Sequence, residues 1–147
     1  MRIDYAKVSP EAITALTQAS AYLSRSGIDH GLRFMVEVRV SQINGCAYCV
    51  DMHTQQARKA GVGQQKLDCI AAWREAGAIF TDRERAALAW ADSVTRIADG
   101  GVPDEVFGRA REHFSERELV DLNMVVAVMN AWNRIAVSFE RAPDLRV

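Results

Sequence analysis

The sequence predicts an all-α fold, and three observations carry the prediction. Apolar residues recur at steps of three and four along most of the chain, several helix-start signals precede them, and the single strand-like run has no second run to pair with. With 147 residues, 49% of them hydrophobic and 25% charged, the chain is expected to form one domain spanning 1–147 that needs no disulfide staple.

Ser9, Pro10 and Glu11 combine a hydroxyl cap, a first-turn proline and an early acid, so a helix should start there and run to about Ser26. Its apolar positions are Ile13, Leu16, Ala19, Tyr22 and Leu23. After a link from Gly27 to Gly31, the segment Leu32 to Ile43 is locally ambiguous. Val36, Val38 and Val40 alternate with Glu37 and Arg39 like a half-buried strand, yet a lone strand cannot form a sheet, so helix is the consistent reading. Asn44 and Gly45 then break the chain, with Gly ending one helix and Asn capping the next.

The following helix should begin near Gly45 and reach about Ala60, where Gly61 and Gly63 stop it. Lys66 to Ala76 reads as a further amphipathic helix, with Leu67, Ile70, Ala71 and Trp73 facing a core and Cys69 among them. Thr81 with Glu84, and Ser115 with Glu118, have the spacing of capping boxes and open two long helices. Gly100 and Gly101 end the first of these, and Pro103, Asp104 and Glu105 open a shorter helix between the two. The total is about seven helices. The last, ending near Phe139, is apolar on more than one face, through Leu122, Val126 and Met129 and through Val125, Val128, Trp132 and Ile135. Such a helix must be covered all round, which predicts contacts between subunits.

Bulk charge narrows the functions. A formal net charge of -1 gives no general attraction to nucleic acid or anionic membranes, so neither is expected as a partner. The first residues lack the apolar core of a signal peptide, and Asn123, Asn130, Asn133 and Arg134 interrupt the most apolar stretch, so a cytoplasmic protein without a membrane span is expected. No glycine-rich phosphate loop suggests a bound nucleotide, and no cofactor is expected.

Chemistry concentrates between Cys46 and His53. On a helix, Cys46, Cys49 and His53 share one face, because steps of three and four are neighbours. A cysteine reacts as its thiolate, and two devices favour that form: the helix N-terminus near Cys46, and the imidazole of His53 one turn beyond Cys49. The pair is also spaced to form a disulfide within one turn. One thiolate would attack a hydroperoxide, become a sulfenic acid and be captured by the other as a disulfide, which an external dithiol would reset. The histidine spacing favours Cys49 as the attacking residue, and the helix dipole favours Cys46. A structural zinc site would require four ligands, but Cys69, His30 and His113 sit in unrelated contexts, so no metal is expected; His30 and His113 read as solvated or capping residues. Met124, Met129 and Trp132 read as filling the core or an interface.

The stretch Ser41 to His53 resembles the signature of AhpD-like alkylhydroperoxidases in the carboxymuconolactone decarboxylase superfamily, and the resemblance extends more loosely to Phe80–Trp90 and Asn130–Arg134. It implies an all-helical fold, assembly into trimers or hexamers, and thiol-dependent peroxide reduction with a protein-bound lipoyl group or another dithiol as donor. On matching positions, Cys49 resembles the peroxide-attacking cysteine, Cys46 its resolving partner, and His53 the histidine of a proton relay. Two positions depart from the pattern: Tyr48 replaces a second histidine, and Phe34 stands where the relay glutamate usually lies, twelve residues before Cys46. Glu37, one helical turn later, is the candidate to take over that role from a displaced position. Two other functions compete with peroxide reduction: lactone decarboxylation, whose enzymes in the superfamily generally lack the cysteine pair, and a non-enzymatic redox sensor whose cysteines switch an oligomer.

Overall fold

A computed structural model describes residues 1–146, and among them the chain is all-helical. Eight α-helices follow one another: α1 (Tyr5–Val8), α2 (Pro10–Leu23), α3 (His30–Ile43), α4 (Ala47–Lys59), α5 (Gln64–Cys69), α6 (Asp82–Thr95), α7 (Asp104–His113) and α8 (Glu116–Ser138). Short 3-10 segments at Ile70–Glu75, Gly77–Ile79 and Ile97–Asp99 complete the set. Helix α3 lies at the centre and packs against α4, α6 and α8.

That central position explains why Val36–Val40 alternates without being a strand. Val36, Val38 and Val40 are 0%, 1% and 0% exposed, since a helix packed on several sides buries positions of both parities. Between them, Glu37 faces Arg33 and His53, while Arg39 forms a bidentate pair with the buried Asp92 of α6, at 2.6 and 3.2 Å. The same carboxylate also accepts from Trp73 and Arg74, so the 3-10 segment after α5 is tied to α6 through one buried acid.

Both capping boxes form. The Thr81 and Ser115 hydroxyls accept from the backbone N–H groups of Glu84 and Glu118, whose carboxylates accept from the cap residues' own N–H groups. Three expectations need correction. The helix expected over Lys66 to Ala76 is instead the short α5 followed by a 3-10 segment, with Ala72 at φ -114°, ψ 29° outside helical space. Helix α1, capped by Asp4, adds one element to the expected seven. Asn44 does not cap the next helix; it ends α3, Gly45 takes φ 68°, and Cys46 itself is the N-cap of α4.

Two segments far apart in sequence meet over the α3–α4 hairpin. The Arg2 backbone N–H donates to the Phe139 carbonyl at 2.8 Å, and the Tyr5 and Phe139 rings lie 5.7 Å apart. Arg141 closes this seam by donating to the Tyr5 hydroxyl at 3.0 Å. Helix α8 keeps Val120, Met124 and Val137 exposed at 64%, 39% and 47% while burying Leu122, Val125, Val126 and Met129. Among the described residues no helix is long and apolar enough to cross a membrane.

Candidate active site

The turn between α3 and α4 sets the position of the cysteines, and α8 holds the turn. Asn44 donates to the side-chain oxygens of Asn130 and Asn133, each at 2.9 Å. Asn133 in turn donates to the Ser41 hydroxyl at 3.1 Å, and that hydroxyl donates to the Glu37 carbonyl at 2.7 Å. The Cys46 N–H donates to the Ser41 carbonyl at 2.9 Å. Buried side-chain networks of this kind rigidify what they surround when their members are satisfied.

Cys46 and Cys49 are joined as a disulfide, with Cα atoms 5.4 Å apart. The Cys46 sulfur also accepts from the Cys49 backbone N–H at 3.4 Å, as an N-cap side chain does. Both residues are buried, yet they face different spaces. Cys49 lines a cavity of about 380 Å³ between α2, α3, α4 and α8, whereas Cys46 lines a separate shallow depression beside Ala136, Val137 and Glu140.

His53 and Glu37 line the cavity together with Cys49. The His53 Nδ1 lies 3.0 Å from the Glu37 Oε2, at ion-pair distance, but the two atoms are not aligned as a hydrogen bond and neither has another partner. The structure thus brings together all four residues singled out in the sequence: Cys46 with Cys49 covalently, and Glu37 with His53 by contact. Phe34, at the position where the resemblance expects the glutamate, stacks on the imidazole with ring centroids 6.4 Å apart. Tyr48 is covered by the Arg141 guanidinium, 4.1 Å from its ring centroid. The hydrogen bond to Tyr5 pushes the pKa of Arg141 above its ordinary value, so this cation is fixed.

The other walls were not assigned to a site by sequence reasoning. Trp132, expected in the core or an interface, lines the cavity and donates through its indole N–H to the Ser20 hydroxyl at 2.9 Å. Arg33 and Gln56 also line it. Helical spacing could have located these two, because Arg33 precedes Glu37 by four residues and Gln56 follows His53 by three. Cys69 is a partly exposed free thiol away from the cavity, and the His30 ring contacts the Ser24 carbonyl at 3.2 Å. Among the described residues no group of three His, Cys, Asp or Glu side chains could hold a metal ion.

Comparison with known proteins converges on one group. The sequence pattern of the carboxymuconolactone decarboxylase family matches residues 9–93. The uncharacterized protein YdfG of Bacillus subtilis is 39% identical over 137 residues, covering 93% of this chain and 92% of its own. A crystal structure from Agrobacterium tumefaciens, of a protein of unknown function whose name proposes an AhpD antioxidant-defence role, superposes with a TM-score of 0.95 at 42% identity over 99% of both chains. An uncharacterized peroxidase-related protein from Silicibacter sp. TM1040 superposes with a TM-score of 0.81 at 26% identity, over 92% of this chain and 72% of that one. The debrominase Bmp8 shares the fold alone, at 19% identity and a TM-score of 0.84 over 94% of this chain and 74% of that one.

Proposed function

Because the chain belongs to the carboxymuconolactone decarboxylase family as an AhpD-like member, we propose that it is a thiol-dependent peroxidase that reduces organic hydroperoxides through Cys46 and Cys49. One observation carries the reading: Cys49, His53 and Glu37 line a single cavity, with the imidazole and carboxylate 3.0 Å apart. Fold likeness alone would not support it, since the same fold also serves a debrominase.

In the reduced protein the Cys49 thiolate attacks the terminal oxygen of the hydroperoxide. The O–O bond breaks, the alkoxide leaves with a proton supplied by the His53 imidazolium, and Cys49 becomes a sulfenic acid. Glu37 orients the imidazole and balances its charge while it holds that proton. The Cys46 thiolate, at the N-cap of α4, is favoured by the free N–H groups there and attacks the Cys49 sulfur. Hydroxide is expelled and protonated to water, and the disulfide forms. A dithiol then reduces the disulfide by two thiol exchanges, so that hydroperoxide and dithiol become alcohol, water and an oxidised dithiol. A lipoyl group is a donor of suitable chemistry. Exposed Val120 and Met124, one turn apart on the same face of α8, support assembly with further copies of the chain. Lactone decarboxylation has no use for the cysteine pair.

The test is stopped-flow oxidation of the reduced protein by an organic hydroperoxide, followed by recycling with dihydrolipoamide. Oxidation should be saturable or second order, and lost in Cys49→Ser. A Cys46→Ser protein should accumulate a sulfenic acid that a dimedone probe traps on Cys49. Labelling found on Cys46 of a Cys49→Ser protein, with its oxidation rate intact, reverses the assignment. Fast oxidation without recycling by any dithiol points instead to a redox sensor.

A further inference from the structure

Helices α3 and α4 run antiparallel, so their cavity-facing side chains form successive levels. The disulfide is the first level, Glu37 with His53 the second, and Arg33 with Gln56, one turn further from the cysteines, the third. At this third level two buried polar atoms have no partner: the Arg33 Nε and the Gln56 Oε1. The Arg33 side chain is only 9% exposed. Its guanidinium donates through Nη1 to the Ser24 hydroxyl at 3.2 Å and lies 4.4 Å from the Phe34 ring centroid, while Nε stays 4.0 Å from the nearest Glu37 oxygen, too far for a hydrogen bond. A buried donor left open on a cation is costly unless something occupies it.

Charge points the same way. The ionised side chains lining the cavity are Arg33, Arg141 and Glu37, two cations against one anion when His53 is neutral. An apolar wall from α8, built by Val128, Met129, Trp132 and Ala136, runs alongside. Seven residues of α4 separate Cys49 from Gln56, a rise of about 10 Å. An extended hydrocarbon chain advances ~1.25 Å per bond, so about eight carbons cover that distance.

We propose that the cavity binds the carboxylate of a medium-chain apolar acid at Arg33 and Gln56, with its hydrocarbon body against α8 and its far end beside Cys49. The Gln56 amide, turned so that its NH2 faces the ligand, adds a second donor. Resting on the peroxidase reading, the substrate class is then the hydroperoxide of such a monocarboxylic acid, reduced at Cys49 to the hydroxy acid. Arg33 and Gln56 are specificity-determining groups at the end of the cavity away from the reacting atoms.

The experiment measures binding apart from turnover. Octanoate and 1-octanol, equal in chain length and unable to react with thiols, are titrated by calorimetry into the disulfide form of the protein. Octanoate should bind about tenfold or more tightly than octanol, the difference a charge-assisted contact makes in a buried site. Arg33→Gln should remove that preference while octanol binding stays within about threefold. Gln56→Leu, on the other helix, should weaken octanoate selectively and serves if Arg33→Gln does not fold. Equal affinity of the two ligands for the wild-type protein, or a preference that survives in Arg33→Gln, overturns the proposal. Oxidation by tert-butyl hydroperoxide, which is neutral and carries no carboxylate, and by a hydroperoxy fatty acid is read in parallel. Oxidation by either without an octanoate preference rejects the substrate class and leaves the peroxidase; an octanoate preference with no oxidation by either hydroperoxide supports the carboxylate site and rejects the peroxidase.

Discussion

Replacing Glu37 by glutamine tests the proton relay by exchanging one carboxylate oxygen for an amide NH2 of nearly the same size, with the loss of one unit of charge. The carboxylate is buried and sits 3.0 Å from the His53 Nδ1, so solvent and salt screen it weakly. At rest the two groups are not aligned as a hydrogen bond; once the imidazole carries a proton, its Nδ1–H turns onto the carboxylate, and a hydrogen bond to a charged group contributes about 1.5–3 kcal/mol, against about 1 kcal/mol for a neutral one. In the step where the imidazole carries a proton, Glu37→Gln therefore forfeits about 1–2 kcal/mol, or about 5–30-fold in rate. The assay is the second-order rate constant for oxidation of reduced protein by an organic hydroperoxide, by stopped flow, at low and high ionic strength. The loss should be the same at both. His53→Gln should cost at least as much, and the double variant should add little to it, since the two side chains act as one unit. A Glu37→Gln rate within twofold of wild type would refute the relay and leave Glu37 as a structural partner of Arg33 and His53.

Other expectations are independent of the relay. Asn133→Ala removes the donor to Ser41 and one of two acceptors for Asn44, which keep only their bonds to the Glu37 carbonyl and Asn130, and should destabilise the protein by about 1–3 kcal/mol in urea unfolding; a value under about 0.5 kcal/mol would show that the turn does not depend on α8. The Ser115 N–H, followed by Arg83, holds the Glu118 carboxyl below its ordinary value of 4.5. Its folded pKa being the lower one, Glu118 adds stability above about pH 4.5 that is lost as pH falls through the folded value. Glu118→Gln should therefore flatten the acid side of the stability profile, and an unchanged profile would count against this. Ser115→Ala should cost about 1 kcal/mol through loss of the α8 cap, measured by thermal or urea unfolding.

The parts of this fold readable from sequence are those that local chemistry decides. Thr81 and Ser115 form their capping boxes because cap and acid lie three residues apart, so no distant contact is needed. Cys46, Cys49 and His53 share one helical face for the same reason. Val36 to Val40 shows the opposite case: its alternation records burial on several sides by α4, α6 and α8, which only the assembled bundle supplies. The segment from Lys66 to Ala76 has helical spacing throughout, yet Arg39, Arg74 and Trp73 converge on Asp92 and the backbone around Ala72 leaves helical space. Arg33 and Gln56 could be found once Glu37 and His53 were paired. Tyr5, Trp132 and Arg141 could not, because sequence spacing does not tell which remote segments will fold back onto the hairpin.

The bond between Arg141 and Tyr5 spans 136 positions of sequence. Its consequence lies in the order of synthesis. Cys46 and Cys49 emerge from the ribosome while α8, Trp132 and Arg141 are still unmade, so during translation the two thiols lie on a hairpin without an enclosing wall. Any oxidant or thiol reagent in the compartment meets them then without the selectivity of the finished cavity. The segment from Val128 to Arg141, made last, supplies the wall that turns two nascent thiols on a hairpin into an enclosed site.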